Sequence, residues 1–154
     1  DRYGAVAEFL RDRVAADFGG VVGPELIQLL VDPGWTGEQV AGDEAVIAVL
    51  LGGRQEYPAG LEQGVEYACH LAAGNLQEHV IHELAAPWPE VRDGWRFVGV
   101  LQPAYEHGLA CWALRGVPFC AVGQLRPAVA AAGRTMVPQR PGEARRGGPR
   151  ADGS

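Results

Sequence analysis

Three of the four histidines, His70, His79 and His82, fall in one segment that repeats apolar residues at helical spacing. On such a helix His79 lies at the edge of the apolar stripe, and His82 sits about one turn further on. Glu83 follows His79 by four residues and lands within the stripe. His79, His82 and Glu83 would then converge as two imidazoles and a carboxylate, a donor set suited to zinc or another transition metal. The order H-x-x-H-E differs from the H-E-x-x-H of zinc proteases, whose histidines stand four apart. The plainer alternative needs no metal or other cofactor. It is a His–Glu contact near a helix C-terminus, where a cationic imidazole meets the negative end of the macrodipole.

A second set is His107, Cys111 and Cys120, with Cys69 or His70 as further donors. In an extended strand His107 and Cys111 share a face, and a hairpin would bring Cys120 diagonally across from Cys111. Thiolate and imidazole ligands suit zinc, yet the closely spaced cysteine pairs of structural zinc sites are missing. The alternative treats each cysteine as a small buried apolar residue. A third set is aromatic. Trp35, Trp88 and Trp95 fall in loops or at element ends, where an indole lines a pocket or an interface, or else covers the core.

Other chemistries are excluded by inventory. The only serine is the last residue, Ser154, and there is no lysine. A Ser-His-Asp hydrolase, a lysine Schiff base and a P-loop lysine are all ruled out. The glycines at 19, 20 and 23 lack the G-x-G-x-x-G spacing of a nucleotide loop. All 13 basic residues are arginine, within a Gly-, Ala-, Val-, Leu- and Pro-rich composition that resembles the coding bias of a GC-rich bacterial genome. The net charge is −6, and residues 138–154 contribute four arginines and two acids, so the rest of the chain is near −8. An acidic body repels phosphate, so no nucleic acid is expected on the folded part. No signal peptide or membrane span is read, and three unpaired cysteines suit a reducing, cytoplasmic location. The first residue, Asp1, suggests a trimmed chain or part of a longer one.

The elements that must position these residues follow from periodicity. Val6, Phe9, Leu10, Val14 and Phe18 form the stripe of a helix over 3–18 that Gly19 and Gly20 stop. A short helix is expected over 24–31, opened by Pro24. The run Asp43–Leu51 fits a buried strand or a buried helix, and the flanking Asp43 and Gly52 favour helix. The clearest element is a helix from Leu61 to Ala86, ended by Pro87 and Pro89. Trp95–Leu101 reads as a strand ended by Pro103. Leu109–Leu114 and Phe119–Leu125 read as a β-hairpin, with Leu114 opposite Phe119 and Trp112 opposite Ala121. Both hairpin faces are then apolar, which requires burial on both sides or an interface.

The resulting expectation is an α+β fold. Its N-terminal half is helical, and one long amphipathic helix packs on a small antiparallel sheet of about three strands containing the C-terminal hairpin. Residues 1–137 would form one domain, and 138–154 a flexible tail rich in Pro, Gly and Arg. The preferred function is a non-enzymatic bacterial cytosolic interaction module that holds a protein partner or a second copy through Trp112, Leu114 and Phe119. The alternative is a small metal-binding protein or metal-dependent enzyme built on His79, His82 and Glu83.

Overall fold

The computed structural model describes residues 2–22, 27–32, 46–51, 54–60 and 64–137. Trp35 and the tail expected from residue 138 lie outside the described residues. The chain is α+β, with two long helices in its N-terminal half and antiparallel strands in its C-terminal half. Among the described residues no helix is long and apolar enough to cross a membrane.

Helix α1 (Arg2–Phe18) buries Leu10, Val14 and Phe18 completely. Phe9, expected on the same stripe, instead sits at its edge, half exposed, with the Arg13 guanidinium 5.4 Å from its ring centroid. The chain leaves the helix at Gly19, whose N–H donates to the Ala15 carbonyl at 2.8 Å.

Two expected helical segments are strands. β1 (Ile27–Asp32), β2 (Val46–Leu51) and β3 (Arg54–Gly60) form an antiparallel sheet in that order. Ile27 pairs with Leu51 and Asp32 with Val46, so the two apolar runs satisfy each other's backbone groups. That long-range pairing overrides Pro24 and Asp43 as local helix signals. Short runs rich in Val, Ile and Leu suit a pleated surface at least as well.

Helix α2 (Val65–Leu84) buries Ala68, Cys69, Ala72, Ala73, Leu76 and Val80 against a second sheet. That sheet comprises β4 (Glu90–Asp93), β5 (Arg96–Glu106), β6 (Leu109–Leu114), β7 (Val117–Ala121) and β8 (Thr135–Val137). Its order is β7-β6-β5-β4-β8, antiparallel throughout, with the short helix α3 (Leu125–Ala131) leading into β8. Five strands replace the expected three because β4 and β8 are too short to show a pattern of their own.

β5 continues through Pro103 to Glu106 rather than ending there. The N–H of Leu101 donates to the Pro89 carbonyl at 3.0 Å, which shows which edge of β5 the odd-numbered N–H groups face. Two residues on, β4 has run out along that edge, so a proline removes no ladder bond.

The hairpin turns are tight. His107–Gly108 and Arg115–Gly116 each place two successive residues at positive φ, the backbone of a two-residue type I′ connection. Leu114 therefore pairs with Val117 rather than Phe119. A bulge then brings Trp112 opposite Cys120 and Cys111 opposite Ala121. The expected register fails because the turn takes two residues, not four, and an extra residue enters β7.

The core centres on three aromatic rings. Phe18 lies 5.0 Å from Trp88 and 5.8 Å from Trp112, and the two indoles meet edge to face at 6.1 Å. All three are fully buried.

Candidate functional site

The described surface has a groove on the β6–β7 hairpin, on the side turned away from Trp112. It is lined by Leu109, Cys111, Phe119 and Ala121, with the exposed Glu106 and His107 also among its lining residues, and measures about 230 Å³. Its walls are chiefly apolar. The bulge in β7 carries Phe119 half into this groove and half against the core.

A buried polar framework holds the hairpin in place. The Asp17 carboxylate, fully buried at the end of α1, accepts the Trp112 indole N–H at 2.8 Å through Oδ2. The same oxygen accepts the Gly123 N–H at 2.5 Å, and Oδ1 accepts the Leu125 N–H at 3.0 Å. Burial raises the Asp17 carboxyl above its ordinary range, and the three donors offset part of that rise. Nearby, Arg13 pairs with Glu66 at 2.6 Å and donates through Nε to the Val122 carbonyl. Glu66 in turn accepts the Ala110 N–H at 3.0 Å. α1, α2, β6 and the turn from β7 into α3 are thus tied together by two carboxylates.

All three thiols are held above their ordinary range. Burial raises Cys111, helped by the Glu106 carboxylate, and pushes Cys120 up to about 12. Cys69, inside α2, is pushed up to about 11. A thiol held protonated is a weak nucleophile. The structure does bring His107, Cys111 and Cys120 around one groove, but as walls and rim.

The remaining expected residues are spread out. His79 is half-buried on α2, while His82 and Glu83 are exposed on its last turn. Among the described residues no group of three His, Cys, Asp or Glu side chains is placed to hold a metal ion. His70 packs against Tyr67 and Tyr105, with ring centroids 5.3 and 6.3 Å away, and its Nδ1 is buried without a partner among the described residues. Of the three residues expected at the interface, Trp112 is withdrawn into the core, and Leu114 and Phe119 are half-buried. Trp88 is a core residue, and Trp95 is 88% exposed at the tip of the β4–β5 hairpin.

Two residues that organise this region were not singled out by sequence. Asp17 follows Val14 by three, so its position on the buried stripe was the available signal. Gln77 sits between Leu76 and Val80 and donates to the Trp88 and Leu101 carbonyls at 3.0 and 2.8 Å, fixing α2 on the sheet. Comparison with protein-family models, with curated proteins and with solved structures gave no match.

Proposed function

We propose that the protein is a non-enzymatic interaction module of the bacterial cytoplasm, working through the outer face of its β6–β7 hairpin. The groove takes an apolar side chain from a protein partner. The observation that carries this reading is an apolar groove of about 230 Å³ beside a half-exposed Leu109 and a half-buried Phe119. A chiefly apolar lining favours an apolar occupant, and thiols held protonated are weak nucleophiles. The absence of lysine and of any serine before Ser154 narrows the enzymatic alternatives further. Three cysteines, all free, suit a reducing compartment.

The test uses 3-methylindole as a minimal aromatic side chain, titrated by calorimetry. The Trp95→Ala chain, which lacks the exposed indole that could compete for the groove, is expected to bind one equivalent with a Kd on the order of 1 mM, typical of a ten-atom ligand. Leu109→Asp, which places a charge at the groove, is expected to abolish the heat while leaving the melting temperature in place. A Trp95→Ala chain with no saturable heat contradicts the proposal.

A further inference from the structure

We propose that the groove on the β6–β7 hairpin is filled by Trp95 of a second copy of this chain. The inference rests on the reading of the groove as an interaction surface, and it names the occupant.

Trp95 is the most exposed large apolar side chain among the described residues, at 88%. It stands at the tip of the β4–β5 turn, and that turn is braced: Nη1 of Arg92 donates to the Trp95 carbonyl at 3.2 Å. Arg92 is itself anchored by Glu90 at 2.6 Å. A protruding indole on a braced turn near Arg92 and Arg96 has the composition of an interface hot spot, and the backbone that carries it needs little further ordering on binding.

The groove complements that tip in shape and in charge. A closed apolar cavity of about 150 Å³ accepts a benzene ring, so one of about 230 Å³ accepts the two rings of an indole. The exposed Glu106 is among the groove's lining residues, and Arg96 follows Trp95 at the exposed start of β5, paired with Asp93 at 3.3 Å. Seating the indole brings that arginine toward the carboxylate, opposite charges meeting at the rim where they steer association.

The occupant must come from another molecule. Trp95 immediately precedes β5, and Glu106 ends it. Pro118 pairs with Ala113 and Ala113 with Gln102, so the near end of the groove lies seven residues along β5 from Trp95, roughly 23 Å, and pairing with β4 and β6 keeps the strand from folding back. Trp95 therefore cannot reach the groove of its own chain. Knob and socket are separate places on one sheet, so a chain lacking either keeps the other.

Sedimentation velocity from about 1 μM to 1 mM tests this. The wild-type chain is expected to associate, and Trp95→Ala and Leu109→Asp are each expected to stay monomeric. Ala121→Arg, which blocks the groove from the other strand, is the second groove variant, and circular dichroism confirms that each variant folds. The decisive arm mixes Trp95→Ala with Leu109→Asp. A 1:1 dimer from two monomeric variants is expected, since one supplies the groove and the other the indole. A wild-type chain that is monomeric at 1 mM, a Trp95→Ala chain that associates like wild type, or a mixture that stays monomeric overturns the proposal. If 3-methylindole still binds in any of these cases, the groove stands as an interaction surface and Trp95 is not its occupant. If it does not, both readings fall.

Discussion

The buried carboxylate of Asp17 and the indole of Trp112 meet at 2.8 Å across 95 positions of sequence, joining the end of the first helix to the middle of the C-terminal hairpin. One consequence is that Trp112 faces inward. A second is that the opposite side of the same strand, carrying Cys111, faces the groove. The framework that secures the core thus also presents the proposed surface.

Removing this carboxylate should be costly. Asp17→Ala leaves the Trp112, Gly123 and Leu125 N–H donors unsatisfied in a dry interior, at about 1–3 kcal/mol for each lost partner. A total loss of about 3–4 kcal/mol is expected by urea unfolding. Asp17→Asn keeps one accepting oxygen and turns an amide N–H toward the other donors, so it should fall between the two. A loss below about 1 kcal/mol for the alanine variant would contradict the role given to Asp17.

Two groups predict how stability responds to acid. Burial opposes ionisation of Glu66, but the Arg13 pairing and the Ala110 N–H outweigh it, and the folded carboxyl lies below its ordinary value of 4.5. Its contribution is therefore present above 4.5 and lost as pH falls through the lower folded value. Burial also lowers His70 below 6.5. The unfolded chain then takes the His70 proton first, so this contribution is full above 6.5 and declines as pH falls below it. Unfolding measured from pH 8 to 3 should show Glu66→Gln flattening the limb below 4.5 and His70→Phe flattening the limb that begins near 6.5. Unchanged slopes in both variants would contradict these assignments.

The cysteines should be slow to react. With Cys120 near 12, its thiolate fraction at pH 7.5 is about three orders of magnitude below that of a free cysteine. Alkylation by iodoacetamide, followed by mass spectrometry, should leave Cys69 and Cys120 unmodified in the folded chain and label all three cysteines in urea. Rapid labelling of Cys120 in the native chain would restore nucleophilic chemistry to the groove.

The fold class, the long helix, the stop at Gly19 and the presence of a C-terminal hairpin were all legible in the sequence, because each has a periodic stripe or a breaker residue. β1 and β2 were not. Continuous apolar runs such as Val46–Leu51 have no period that separates strand from helix, and the partner that decides lies elsewhere in the chain. Hairpin register was lost to one bulge and a two-residue turn, which together placed Trp112 on the wrong pairing. His107, Cys111 and Cys120 could be grouped from spacing alone. Their protonation could not, since it depends on burial by Phe119 and neighbours remote from a linear reading. Asp17 and Gln77 look like ordinary polar residues until their partners, from 11 to 108 positions away, are known.

The outer face of the β6–β7 hairpin, proposed as the binding surface, is observed directly by amide chemical shifts. Titrating 3-methylindole into ¹⁵N-labelled Trp95→Ala protein, which offers an unoccupied groove, should shift the amides of residues 106–111 and 119–121 in a saturable way, leaving those of α1 still. Saturable shifts confined to that stretch are the predicted result. Shifts scattered over the surface, or centred elsewhere on the sheet, would contradict the account.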